Sequence, residues 1–227
     1  MFENMTAGGY LPASFLDWDG RVAAVVFTVG CNFRCPWCHN SALVTGEIET
    51  LPIAGIYADI ARRAKFLDGV CVSGGEPTLW AGLIHFIEEI RKLGLPVKLD
   101  TNGSNPGVVE KLLDRGLLEH VAMDVKAPLD AASYMKVTGV DSEIGDIKKS
   151  IEIIRQKAPS YEFRTTFVPP LMTAADLRAI RESLSDDAHW FIQCFKPVGC
   201  LDESFLKYKA ADPEEVKKLL PGVNVRG

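Results

Sequence analysis

The chain has 227 residues, 47% of them apolar and 24% charged, with a formal net charge of −5 and six cysteines. That apolar content can bury a sizeable core in one unit, and the absence of any run of Lys or Arg argues against nucleic acid as a partner. No stretch reaches the roughly 18 consecutive apolar residues that a bilayer span requires, and no basic segment followed by an apolar signal core opens the chain, so a cytoplasmic protein with no membrane partner and reduced cysteines is expected.

The β-branched run Ala23 to Val29 reads as a strand that delivers the chain into a loop, Cys31 to Asn40. Ile53, Ile56, Ile60 and Ala64 then recur at helical spacing in a helix over 52–66, with Thr50 as its expected N-cap. The alternation repeats: strand 70–73, helix 79–93 closed by Gly94, strand 97–101, helix 106–115, strand 120–125, helix 142–157, strand 161–168, helix 173–184 and strand 188–195. No internal repeat, low-complexity tract or linker interrupts it. One domain over 1–227 is expected, with 1–20 an N-terminal extension and 201–227 a tail carrying a short helix over 213–220.

Six strands separated by helices imply a parallel α/β sheet of right-handed crossovers, either doubly wound or curved into an incomplete (β/α)6 barrel. Periodicity leaves both open. Either architecture places ligands at the carboxyl ends of the strands, where the chemically unusual residues of this chain gather.

Cys31, Cys35 and Cys38 place three thiols within eight residues just beyond the first of these strands. Iron-sulfur cubes ordinarily take four thiolates, so three would leave one iron open to bind a small molecule. The alternative is a structural zinc on these cysteines and His39, although adjacent residues in extended chain point in divergent directions and would struggle to meet one ion. Val72 to Pro77 follows the next strand with paired glycines, Gly74 and Gly75, which either admit a ligand to the backbone or make a tight turn. Asp100 to Gly103 ends a third strand. Asp124 and Lys126 end a fourth and share one face, where unpaired charges would be costly. In the fifth, Glu162, Arg164 and Thr166 form a polar face that lines a pocket or serves an ion pair. Cys71 reads as a small buried hydrophobe. Cys194 and Cys200 lie nearer the expected mouth, with a redox or second-ligand role open to them. His120 begins a strand, and His85 and His189 read as structural.

The spacing CxxxCxxC with an aromatic residue before the last cysteine, together with GGEP, DTNG and DVK, resembles the radical S-adenosylmethionine superfamily and within it the glycyl-radical activases. The resemblance runs from Gly20 to Pro197. It implies an incomplete (β/α)6 barrel in which Cys31, Cys35 and Cys38 carry a 4Fe-4S cluster. Gly74, Gly75 and Glu76 would receive the amino group of S-adenosylmethionine and Lys126 its carboxylate. Asp124 would contact the ribose or, in some members, a monovalent cation. Trp37, His39, Thr101, Asn102, Arg164 and Gln193 complete the implied cofactor contacts, with His39 near the adenine.

The implied activity is reductive cleavage to a 5′-deoxyadenosyl radical. Its target would be a glycine in a partner enzyme, and the pattern is most like that of the small activating proteins of anaerobic ribonucleoside-triphosphate reductase. A low-potential donor such as flavodoxin or ferredoxin would supply the electron. An activase for a pyruvate formate-lyase-like enzyme, a small-molecule radical enzyme and a non-catalytic zinc or iron-sulfur module stand as alternatives; GGEP, DTNG and DVK have no reason to accompany zinc.

Overall fold

The computed structural model describes residues 2–227. Its strands are β1 (Thr6–Ala7), β2 (Gly9–Ser14), β3 (Ala23–Thr28), β4 (Leu51–Pro52), β5 (Gly69–Gly74), β6 (Val97–Thr101), β7 (His120–Asp124), β8 (Tyr161–Phe167), β9 (Trp190–Cys194) and β10 (Asn224–Arg226). The helices are α1 (Ser41–Thr45), α2 (Ile53–Arg63), α3 (Leu83–Lys92), α4 (Pro106–Asp114), α5 (Ala131–Thr138), α6 (Ile144–Lys157), α7 (Ala174–Ser183) and α8 (Pro213–Leu219). Eight strands form one sheet in the order β10-β9-β8-β7-β6-β5-β3-β2, parallel throughout except for the β2–β3 pair.

The six expected strands are β3 and β5 to β9. Their order never reverses, whereas a doubly wound sheet changes direction at its switch point, so the topology is that of a barrel left open. Curvature is visible in an ion pair. Arg226 on β10 lies 2.8 Å from Asp19, which follows β2 at the opposite edge; on a flat sheet those edges would stand about 34 Å apart, seven steps of roughly 4.8 Å.

Strands buried on both faces explain the composition. Val70 and Val72, Val97 and Leu99, and Val121 and Met123 point outward into the hydrophobic core that α2 covers with Ile53, Ile56 and Ile60 and α3 with Phe86, Ile87 and Ile90. The alternate positions point into the barrel, where small side chains (Ala23, Cys71, Ala122) leave room for Lys98, Asp100, Asp124, Glu162 and Arg164.

Several boundaries differ from those expected. The segment expected as an N-terminal extension contributes the edge strand β2, and its continuation crosses the lower mouth of the barrel, where the Asp17 carbonyl accepts a 2.6 Å bond from buried Lys98. The 201–227 segment adds β10. Thr50 does not cap α2: pairing of β4 with β1 holds the chain extended, and the helix starts after Pro52, which stands at the N-cap with φ −62°. The helix expected over 79–93 begins only at Leu83, because Glu76 caps a separate 3-10 turn over Pro77–Leu79. The helix expected from Ser142 starts at Ile144. α5 was not expected, although Asp130 accepts from the Ser133 N–H at its start and Gly139 (φ +73°) closes it.

Candidate active site

At the carboxyl ends of the strands lies a cavity of about 410 Å3. Every residue assigned to the cluster or to S-adenosylmethionine from the sequence lines it: Cys31, Cys35 and Cys38; Trp37 and His39; Gly74, Gly75 and Glu76; Thr101 and Asn102; Asp124 and Lys126; Arg164 and Gln193.

The cysteine loop is held from three sides. The C-terminal end of α5 grips it through Arg34 N–H to the Thr138 carbonyl (2.8 Å) and Trp37 Nε1–H to the Val137 carbonyl (3.3 Å). The 201–202 segment grips it through Leu201 N–H to the Cys38 carbonyl (3.1 Å) and Asp202 N–H to the Pro36 carbonyl (2.8 Å). From the end of β6, Asn102 Nδ2 donates to Asn32 Oδ1 at 2.9 Å and approaches Cys31 Sγ at 3.9 Å. All six cysteines are free thiols.

Burial pushes the Cys35 thiol up to about 12 and raises Cys31 as well, so these thiols stay protonated near neutrality unless a metal takes the proton's place. Lys126 lowers the cost of the thiolate form at both. Among the described residues, no three or more His, Cys, Asp or Glu side chains gather around a single-ion position. His39 is exposed, its ring 6.3 Å from that of Phe195. Three thiols on one loop facing one cavity, with a cation beside them, suit a thiolate-bound cluster.

The paired glycines have a reason that only the fold discloses. A Cβ on Gly74, whose φ is +116°, would stand 2.4 Å from the Thr28 nitrogen, and one on Gly75 would stand 2.0 Å from the Gly30 carbonyl oxygen. The backbone of β3 and its loop, rather than a ligand, fills the place where those side chains would be. Gly75 N–H donates to the Thr28 carbonyl and Glu76 N–H to that of Gly30, tying the glycine turn to the start of the cysteine loop. Gly75→Ala is therefore expected to destabilise the fold by about 1–3 kcal/mol through overpacking and to lower iron incorporation, because Gly30 immediately precedes Cys31; urea midpoints and iron content after anaerobic reconstitution check this.

Glu76 is 1% exposed and clamps two strand ends together. Its Oε1 accepts from Thr78 N–H, Thr78 Oγ1 and Thr101 Oγ1, and its Oε2 from Asn102 N–H at 2.6 Å. Burial raises its carboxyl above the usual range against the pull of those donors.

Charged side chains interlock inside the barrel. Asp124 Oδ2 accepts from Lys126 Nζ at 2.7 Å and Oδ1 from Arg164 Nε at 2.8 Å. Burial would push this carboxyl up, but the Arg164 and Lys126 cations prevail and hold it at about 2. Lys126 also lies 5.3 Å from the centre of the Trp37 ring. Asp100 Oδ2 accepts from Ser73 Oγ at 3.0 Å, and its Oδ1 lies 3.3 Å from Lys98 Nζ and 3.5 Å from Arg164 Nη1. Both readings of the β8 polar face hold at once: Arg164 lines the cavity and serves ion pairs.

Ser73, Asp100, Thr166, Cys194, Lys196 and Arg226 also line the cavity without having been assigned to the cofactor. Asp100 carried a signal, since it alternates with Lys98 on one strand face. Arg226 carried none. Cys200 is buried outside the lining, and Cys71 is fully buried on the inner face, as expected of a small hydrophobe. His120 pairs with Ser160 and His189 with Asp187, and His85 packs its ring against Phe2.

Comparison with known proteins bears on this cavity. Residues 25–184 match the family model described as the radical SAM superfamily. A candidate glycyl-radical enzyme activating enzyme of Methanocaldococcus jannaschii is 34% identical over 214 residues, 93% of this chain and 88% of that protein. A probable GTP 3′,8-cyclase of Pyrococcus horikoshii is 28% identical over 134 residues, 57% of this chain and 42% of that protein. Among solved structures, Streptococcus suis SuiB bound to S-adenosylmethionine superposes with a TM-score of 0.66 at 14% identity, covering 87% of this chain and 48% of SuiB. No helix among the described residues is long and apolar enough to cross a membrane. With its open barrel and its three-cysteine loop at the strand ends, the chain belongs to the radical SAM superfamily, enzymes that use a 4Fe-4S cluster and S-adenosylmethionine.

Proposed function

We propose that this radical SAM enzyme generates a glycyl radical on a partner polypeptide, and that the partner is an anaerobic ribonucleoside-triphosphate reductase. The observation that carries the activase reading is the likeness to the M. jannaschii candidate activating enzyme, which extends over nearly the full length of both chains. The bound cofactors supply one-electron reductive cleavage of the sulfonium and hence a radical able to abstract hydrogen.

The chain's own residues bind and orient. Cys31, Cys35 and Cys38 would hold the cluster. Lys126 would take the carboxylate of S-adenosylmethionine, and Glu76, whose Oε2 carries one hydrogen bond against three on Oε1, keeps acceptor capacity for the amino group. Gly74 and Gly75 set the height of that turn. Thr101 and Asn102 support Glu76 and the cysteine loop, Asp124 and Arg164 fix Lys126, and Trp37, His39 and Gln193 are assigned to the rest of the cofactor. Flavodoxin or ferredoxin would serve as electron donor.

A small-molecule radical reaction is the second reading, favoured by the partial likeness to the P. horikoshii cyclase. Anaerobic incubation with S-adenosylmethionine, a reductant and the reductase, followed by electron paramagnetic resonance, separates the two. A doublet on the reductase glycine is expected. Cofactor cleavage without a doublet on the reductase or on a pyruvate formate-lyase-like enzyme, but with turnover of a nucleotide, would replace the activase reading with the second.

A further inference from the structure

The family resemblance leaves room at Asp124 for a monovalent cation, and in this chain the Arg164 side chain lies against that carboxylate. The Arg164 guanidinium spans two acidic strand ends: its Nε donates to Asp124 Oδ1 at 2.8 Å, and its Nη1 lies 3.5 Å from Asp100 Oδ1. Register puts it there. Arg164 on β8 is the paired neighbour of Asp124 on β7, and Asp100 points into the barrel from β6 on the other side. The guanidinium side chain is 12% exposed and Asp100 14%, so the arrangement is sheltered from solvent.

Charge and coordination both argue against adding a metal ion. Lys98, Lys126 and Arg164 lie against Asp100, Asp124 and Glu162 inside the barrel, and Arg226 joins Glu162 to the exposed Asp19 in the same run of contacts. A bound Na+ or K+ between Asp100 and Asp124 would sit beside the Arg164 guanidinium and the Lys98 and Lys126 ammonium groups, and like charges brought together out of water are costly. Each Asp124 oxygen already accepts from a cationic donor, whose charge would repel a metal ion approaching the remaining lone pair. Asp100 Oδ1, the one buried side-chain polar atom without a hydrogen bond among the described residues, is flanked at 3.3 Å and 3.5 Å by Lys98 and Arg164, which would repel a further cation. Arginine suits the task because its planar fork is always charged and can face two carboxylates at once.

We infer that Arg164 is a tethered cation that does the work of a bound monovalent metal, holding Asp100 and Asp124 in place, so that S-adenosylmethionine cleavage by this enzyme is independent of Na+ and K+. Arg164 is a positioning residue here, acting on the cofactor through Asp124 and Lys126. The inference rests on the family's cofactor site and not on the identity of the partner polypeptide.

The test uses the reconstituted enzyme with dithionite and no partner, so that its failure is distinct from failure of the activase reading. S-adenosylmethionine cleavage and its dissociation constant are measured in NaCl, KCl and tetramethylammonium chloride at equal ionic strength. For the wild type, both quantities are expected to agree within twofold across the three salts. For Arg164→Ala, which opens the space between the carboxylates, affinity is expected to fall at least tenfold in tetramethylammonium and to recover saturably with K+ or Na+, while Arg164→Lys keeps most of the wild-type affinity in all three. A tenfold loss of wild-type activity on removal of Na+ and K+ would overturn the inference. So would an Arg164→Ala protein that folds but shows no alkali-metal rescue of affinity. Should Arg164→Ala fail to fold, the wild-type comparison decides alone.

Discussion

Replacing Cys35 with alanine is expected to leave a folded protein that holds no 4Fe-4S cluster and cleaves S-adenosylmethionine at least about 10³-fold more slowly, a loss of about 4 kcal/mol in barrier terms. Stability should change little by comparison: Cys35 is 6% exposed and packs in the core, so deleting its sulfur costs about 1 kcal/mol in lost packing. Cys71→Ala is the control. That thiol is fully buried too, but it lies on the inner wall below the cavity lining, so a comparable packing loss should leave iron content and cleavage unchanged. Iron and sulfide analysis, the visible absorption of the reconstituted proteins and urea unfolding check both variants together. Equal loss of cluster in the two would mean that the thiols act through packing alone.

Asp124→Asn should combine a large stability loss with a loss of cofactor affinity. The carboxylate sits between Lys126 and Arg164, and its removal takes away the ion-pair partner of Lys126 and the nearest of three carboxylates around Arg164. Breaking a buried pair from one side costs roughly 3–5 kcal/mol; because the Asp124 side chain remains one quarter exposed, the lower end, about 3 kcal/mol, is expected. The pH dependence supplies an independent check. Since the folded carboxyl sits at about 2 and an unfolded one near 3.9, its contribution is fully present above about pH 4 and is lost as pH falls through 2. Wild-type stability should therefore drop across that window, and Asp124→Asn should lose less there. Lys126, released from Asp124, should also hold S-adenosylmethionine at least tenfold more weakly, measured by equilibrium binding at pH 7.

The site was readable in the sequence because its chemistry is concentrated in short segments at strand ends. Three cysteines in eight residues, paired glycines before a glutamate, and an acid and a base two apart on a strand each carry a local signal, and the fold brings them to one cavity. The central strands were equally readable, since burial on both faces leaves near-continuous apolar runs.

Features fixed by distant parts of the chain were not. Nothing near Gly74 and Gly75 shows that β3 approaches them within van der Waals contact. The Asp19–Arg226 pair joins residues 207 apart in sequence, and the assignment of 1–20 and 201–227 to an extension and a tail missed both edge strands. Thr50 was a sound cap by local rules, but pairing of Leu51–Pro52 with β1 overrode it. α5 carries its signal at the ends, in Asp130 and Gly139, while its eight residues show little of the apolar periodicity that marks the other helices.

Central to the proposed chemistry are the thiolates of Cys31, Cys35 and Cys38, which would leave one iron of a cube open to S-adenosylmethionine. Its most direct test is the electron paramagnetic resonance spectrum of the anaerobically reconstituted, dithionite-reduced protein, recorded before and after S-adenosylmethionine is added. A reduced 4Fe-4S signal whose g values shift on addition, in wild type but not in Lys126→Met, is the expected result. A protein that holds zinc in place of iron, or a cluster whose spectrum is indifferent to the cofactor, would contradict it.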